Sequence, residues 1–210
     1  LSEASRFSHS LDAFHYNYTN VAGNRDMIKI EINYSLRTHV FQAEERCLLT
    51  DAFGEPISVN TVAVAEIFAA KANALMSRAA ARDLYDFCNM VDQNTISGKE
   101  DLFRKCTVFY ATISAKEVNR TFDTVAIDKL SFSRIRTDLF PVLGVNKKFA
   151  LEEKKLQAKE FIAAVMMLQD GEKEYMDRFI SKEYRPELLF GDYEIVERIK
   201  NHPMALWKCR

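Results

Sequence analysis

The chain has 210 residues, a formal net charge of −1, 48% hydrophobic and 28% charged residues, so it can bury a core without metal or disulfide staples. Its cysteines, Cys47, Cys88, Cys106 and Cys209, show no CxxC spacing and no clustering with histidine, which argues against structural zinc and for reduced thiols. The longest apolar run, Phe161 to Leu168, is about eight residues against the roughly 20 that span a bilayer; no basic-then-apolar segment opens the sequence, and a cytoplasmic location is expected.

The first third reads as β-rich. In "SRFSHSLDAFHY", residues 5 to 16, Ser10 stands two positions before Asp12, and residues two apart on a strand share a face. An acid at position 10 would complete a carboxylate pair of the kind a divalent cation needs. "MIKIEINYSL" alternates, with Ile28, Ile30, Ile32 and Tyr34 on one face, expected to be buried, and Lys29, Glu31 and Asn33 on the other. "HVFQAEERCLL" is a second candidate strand, "DAFGEPIS" a turn, and "ISV" a short strand.

From about Thr61 the period becomes helical. "TVAVAEIFAAKANALMSRAAARDLYDFCNMV" has no Gly or Pro and predicts one long helix or two abutting ones, the second from near Arg82. "SGK" at 97 to 99 interrupts it, with Ser97 as the expected N-cap of a helix over "KEDLFRKCTVFYATIS". Phe140-Pro141 and Gly144 mark a loop. "ALEEKKLQAKEFIAAVMMLQ" is a strong helix that Asp170-Gly171 should stop, and short helices carrying Pro186 and Pro203 close the chain. The organisation is α+β, strands first and helices after.

Three constellations could carry chemistry. Lys29 and Glu31 sit on the open face of the alternating strand, where a carboxylate could join other strand-borne acids around a cation; the bland alternative is a solvated strand face. In the alanine-rich helices, Lys71 and Arg78 are seven apart and share a face, Asp83 and Asp86 are three apart, and Arg82 can pair with Asp86 at i,i+4. Lysine and arginine on one face suit a polyphosphate, and an intrahelical salt-bridge network is the alternative. Residues 129–160 hold eight Lys/Arg against four Asp/Glu, a bias of +4 that would steer an RNA or simply solvate helices. His9 and His15 match no ligand spacing and read as surface or turn histidines. Met166-Met167 reads as core packing.

"EIFAAKANALMSRAAARDLYDF" resembles the hallmark of the AbiEii/AbiGii nucleotidyltransferase-like toxin family, whose pattern runs E…K..AL..R…RDLYDL, and "MIKIEI" resembles the family's preceding lysine-x-acid strand. "EYRPELLFGDYEIVERIKNHPMALWK" is similar to the family's C-terminal tail. The resemblance implies a polymerase-β-like nucleotidyltransferase core over residues 1–96 and a helical C-terminal domain over 97–210. It implies a cytoplasmic bacterial toxin–antitoxin or abortive-infection system with a winged-helix antitoxin repressor as partner. Relatives transfer nucleotides from a nucleoside triphosphate, in some cases to tRNA, with Mg²⁺ or Mn²⁺ ions held by strand acids.

Carried over by position, Asp12 and Glu31 would be the metal acids, with Glu31 the third of the set. Lys71 would meet the triphosphate or a catalytic water. Asp83 and Asp86 would complete the late motif, and Arg78 and Arg82 would position phosphate or hold those acids. The family's first motif runs roughly R.S.D[IL]D, and "RFSHSLD" fits it through Arg6, Ser8 and Asp12, except that Ser10 stands where the first acid belongs. The phosphate-cradling glycine-serine turn has no counterpart before Leu1, and residues are expected to precede it. A neutral hydroxyl is a weak ligand beside a carboxylate, so transfer should be impaired. The alternatives are an inactive nucleotide- or antitoxin-binding module of the same fold and a helical interaction domain with coincidental charges. The expected geometry places Asp12 and Glu31 side by side, facing Lys71 across a cleft.

Overall fold

The computed structural model describes residues 3–7, 11–34, 37–48, 54–115, 118, 120–143 and 148–210, the first of these as backbone. The architecture is α+β, with two small antiparallel sheets ahead of a helical body. Strands β1 (Glu3–Phe7), β2 (Leu11–Thr19) and β3 (Arg25–Asn33) form a meander in the order β1-β2-β3. The β2–β3 turn is built by Asn20, whose Oδ1 accepts the N–H groups of Ala22 and Asn24 at 3.0 Å each. Gly23 completes it at φ +80°, where a side chain would be strained.

That turn sets the register: Asp12 lies opposite Ile32, Ala13 opposite Glu31, Phe14 opposite Ile30 and His15 opposite Lys29. Opposed residues of an antiparallel pair share a face. One face therefore carries Asp12, Phe14, Ile28, Ile30, Ile32 and Tyr34, and the other carries Ala13, His15, Lys29 and Glu31. The alternation expected from the sequence is present, but the burial is not. Ile28, Ile30 and Ile32 remain 51%, 48% and 44% exposed, because no helix is layered on that face among the described residues. Strands β4 (Glu44–Cys47) and β5 (Ser58–Thr61) pair separately, β4 within the second candidate strand.

The long helical stretch is two helices. α1 (Val64–Ser77) buries Ala65, Phe68, Ala69, Ala72 and Leu75, the i, i+3, i+4, i+7 stripe of an amphipathic helix. It ends at Arg78, and Ala79 adopts φ +44°, an uncommon conformation for a residue with a side chain. α2 (Ala81–Asp92) then turns back against α1. α3 (Glu100–Ser114) follows, then the one-turn helices α4 (Val125–Asp128) and α5 (Phe132–Arg134), a π turn over Ile135–Leu139 and a 3₁₀ turn over Phe140–Val142. α6 (Leu151–Val165), α7 (Asp170–Ile180), a 3₁₀ turn at Pro186–Leu188, α8 (Tyr193–Ile199) and α9 (Pro203–Lys208) complete the body.

Three local expectations are corrected. Ser97 is not a cap: the N-cap of α3 is Lys99, and Gly98 at φ +74° turns the chain into it. Asp170 and Gly171 do not stop α6, which ends at Val165; they open α7. The start of α7 is fixed by Glu172 Oε2, which accepts Gln169 N–H at 2.8 Å, and a Cβ on Gly171 would meet Leu188 O at 2.9 Å. Met166 is buried as expected, but Met167 is 69% exposed, because the helix has ended before it and the chain turns outward. Gly144 and His9 lie outside the described residues.

The core is centred on four phenylalanines from four helices. Phe68 lies 5.0 Å from Phe87 and 4.9 Å from Phe103 between ring centroids, and Phe161 contacts all three at 5.7–6.1 Å. Such pairs each contribute about 0.5–1.5 kcal/mol beyond area burial. The packing is continuous across residues 96 and 97, since α1 and α2 share one core with α3 and α6. No helix among the described residues is long and apolar enough to cross a membrane.

Candidate functional site

The α1–α2 corner is held by charge. Arg78, at the end of α1, donates through Nε and Nη2 to the two oxygens of Asp83 at 2.8 and 3.0 Å. Asp83 is 3% exposed, and its Oδ2 also accepts Ala80 N–H at 3.2 Å, capping the first turn of α2. A carboxylate suits the positive end of a helix. The Asp83 hydrogen bond holds the Arg78 guanidinium above its ordinary pKa. One turn on, Lys71 Nζ bonds Asp86 Oδ2 at 2.6 Å.

The expected network exists, but it runs between helices rather than along one. Arg82 does not meet Asp86: its Nε donates to the backbone carbonyl of Asp138, 3.0 Å away on the π turn. Arg82 thereby ties α2 to the segment after α5.

These charges stand at a cavity of about 820 Å³ between α1, α3 and the chain after α3. Lys71 and Arg78, two helical turns apart on α1, both line it, as do Asn73, Ser77 and Asp83. The small Ala74 between the two cations, with Ala70 just before Lys71, leaves the wall open. Asp86 is not in the lining and reaches the cavity only through its bond to Lys71.

The floor holds a group that motif reading passed over. Glu66 is 1% exposed on α1. Its Oε1 accepts Val40 N–H at 2.7 Å and the Tyr110 hydroxyl of α3 in a short bond; its Oε2 accepts Phe41 N–H at 3.0 Å. His39 Nδ1 lies 3.6 Å from Oε1, too far for a hydrogen bond. Burial, followed by the neighbouring Glu66 charge, drives the Tyr110 hydroxyl pKa well above its ordinary value. Glu66 thus clamps the strand-side segment 39–41 to α1 and α3. A signal existed: Glu66 is the first letter of the quoted helical motif and a lone acid beside an apolar stripe. Nothing marked Tyr110 or His39.

The first-motif residues do not join this site. Asp12 faces Ile32 across the ladder and Glu31 faces Ala13, so the two carboxylates lie on opposite faces of the sheet. The expectation that they stand side by side facing Lys71 is corrected; neither lines the Lys71 cavity. Asp12 Oδ2 accepts the Tyr34 hydroxyl at 2.9 Å, a bond that raises the Tyr34 pKa. Glu31 pairs along its own strand with Lys29 at 2.7 Å, both about half exposed. Arg6 is placed by its backbone opposite Ala13, while Ser8 and Ser10 lie outside the described residues. No group of three His, Cys, Asp or Glu side chains that could hold a metal occurs among the described residues. Among the described residues, Asp12 and Glu31 do not together fit a two-ion Mg²⁺ or Mn²⁺ centre, because the parity of the strand register sends them to different faces.

The basic bias of residues 129–160 is partly offset by acids from outside the segment. Lys159 pairs with Asp128 at 2.9 Å and Lys154 with Asp92 at 2.8 Å.

No curated protein and no solved structure matches the chain. The sequence profile described as nucleotidyl transferase AbiEii toxin, type IV TA system, matches residues 3–183. With that match, and with the E…K…R…RD motif assembled around one helical corner, the chain belongs to the AbiEii nucleotidyl transferase toxin family of type IV toxin–antitoxin systems.

Proposed function

We propose that this chain is a cytoplasmic toxin-side component that binds a nucleoside triphosphate in the α1–α3 cavity and is impaired in transferring the nucleotide to an RNA acceptor such as tRNA. Membership of a type IV family implies an antitoxin partner; we assign that role to a winged-helix repressor. One observation carries the reading: Lys71 and Arg78 line the same cavity from one helix face, with Asn73 and Ser77 beside them. The ammonium has three donors and spends one on Asp86, and the guanidinium fork grips Asp83 while remaining 68% exposed. A triphosphate suits such a pair, as point charge and planar fork. Impairment is supported by Ser10 in the first acid's position and by the divergent faces of Asp12 and Glu31.

The test has two arms. Thermal shift with each NTP should raise Tm, and Lys71→Ala should abolish the rise; no rise with any NTP overturns the nucleotide site. Mass spectrometry of a tRNA pool incubated with the protein, each NTP and Mg²⁺ should show no added nucleotide; addition overturns the impairment.

A further inference from the structure

β3 is an edge strand of nine residues, hydrogen-bonded to β2 on one side and to no other strand among the described residues. Every residue of it is exposed. Edges of this kind are templates for another strand, and proteins usually guard them with charge. Here the charges are Lys29 and Glu31, and their order is self-complementary. We propose that β3 is a homodimerisation edge: two copies pair their β3 strands antiparallel about a two-fold axis through Ile30, joining two three-stranded sheets into one of six.

The register follows from the sequence of the strand. A two-fold normal to the sheet keeps each face on its own side, so a residue can oppose only residues of the same parity. Centred on Ile30, Lys29 lies opposite the second copy's Glu31 and Glu31 opposite its Lys29. Ile28 lies opposite Ile32, and Ile30 opposite itself. Moving the axis to position 29 sets Lys29 against Lys29; moving it to 31 sets Glu31 against Glu31. Like charges directly opposite are unfavourable, so both neighbouring registers are disfavoured. In the single chain Lys29 and Glu31 pair along the strand at 2.7 Å. In the dimer each gains a cross-strand partner, giving a two-by-two square of alternating charges on one face. On the other face the half-exposed Ile28, Ile30 and Ile32 meet their counterparts edge to edge. The proposal stands independently of the nucleotide site, since neither Lys29 nor Glu31 lines that cavity.

Sedimentation velocity on the full chain, at concentrations from about 1 to 100 µM, should show a species of twice 24.2 kDa. Lys29→Glu and Glu31→Lys should each raise the dissociation constant by about tenfold or more, because each places like charges across the axis. The double variant Lys29→Glu/Glu31→Lys reverses both charges, restores complementarity and should return to the wild-type constant. Far-UV circular dichroism checks that all three variants keep the fold. A monomer throughout that range, single variants that dimerise like wild type, or a double variant as weak as the singles would each overturn the proposal.

Discussion

Glu66→Ala removes a carboxylate that accepts three hydrogen bonds in a nearly water-free position. The loss strands the N–H of Val40, a fully buried residue, and the hydroxyl of Tyr110, 6% exposed; Phe41 N–H is less enclosed. Each orphaned buried group costs about 1–3 kcal/mol. Relief of the carboxylate's own desolvation offsets part of this, leaving about 3 kcal/mol of destabilisation. For a chain of this size that corresponds to a fall in Tm of about 6–12 °C. Tyr110→Phe deletes only the hydroxyl and should cost about 1–1.5 kcal/mol. The double variant Glu66→Ala/Tyr110→Phe should cost less than the two singles added together, because the hydroxyl that Glu66→Ala orphans is gone. Thermal unfolding by circular dichroism reads the global effect, and hydrogen exchange at the Val40 amide reads the local one. A Glu66→Ala shift below about 2 °C with Val40 still protected, or strict additivity in the cycle, would refute the clamp.

Arg104→Ala should destabilise by about 3–5 kcal/mol in urea titration, since it leaves Glu172, 2% exposed and bonded to Arg104 Nε at 2.8 Å, as an unpaired buried charge. His202 is fully buried as the N-cap of α9, its Nε2 on Thr38 O at 3.1 Å, and burial holds its pKa below the ordinary 6.5 despite that bond. The unfolded chain therefore binds the extra proton first. This contribution to stability is complete above pH 6.5 and is lost as pH falls from 6.5 through the lowered native pKa; in stability–pH curves His202→Phe should flatten the decline over that window. In thiol titration at about pH 8, exposed Cys47 should react first. Cys88, whose pKa burial pushes up to about 12, and buried Cys106 should stay silent until the protein unfolds.

Much of the local structure is legible from spacing. The Ile28–Ile30–Ile32 alternation sets β3, and the apolar stripe from Ala65 to Leu75 sets α1, because each period is imposed by backbone geometry within a few residues. The spacing of Lys71 and Arg78 predicts one shared face, and both line the same cavity, since a seven-residue spacing on a helix fixes a shared face whatever packs above it.

Charge pairing was not legible in the same way. The sequence suggested Arg82–Asp86 at i,i+4, yet the bonds formed are Lys71–Asp86 and Arg78–Asp83 across the α1–α2 corner, which exists only because Ala79 leaves the helical conformation. Asp83 and Glu66 could be recognised as acids in a motif, but their work as a cap and a clamp depends on Ala80, Val40 and Tyr110 arriving from elsewhere.

The sequence by itself determined which residues alternate on β3 and which share the cationic face of α1. Only the tertiary structure decided that Asp12 and Glu31 look away from each other, because cross-strand partners are chosen by the length of the Asn20 turn, and a one-residue change in register inverts every face.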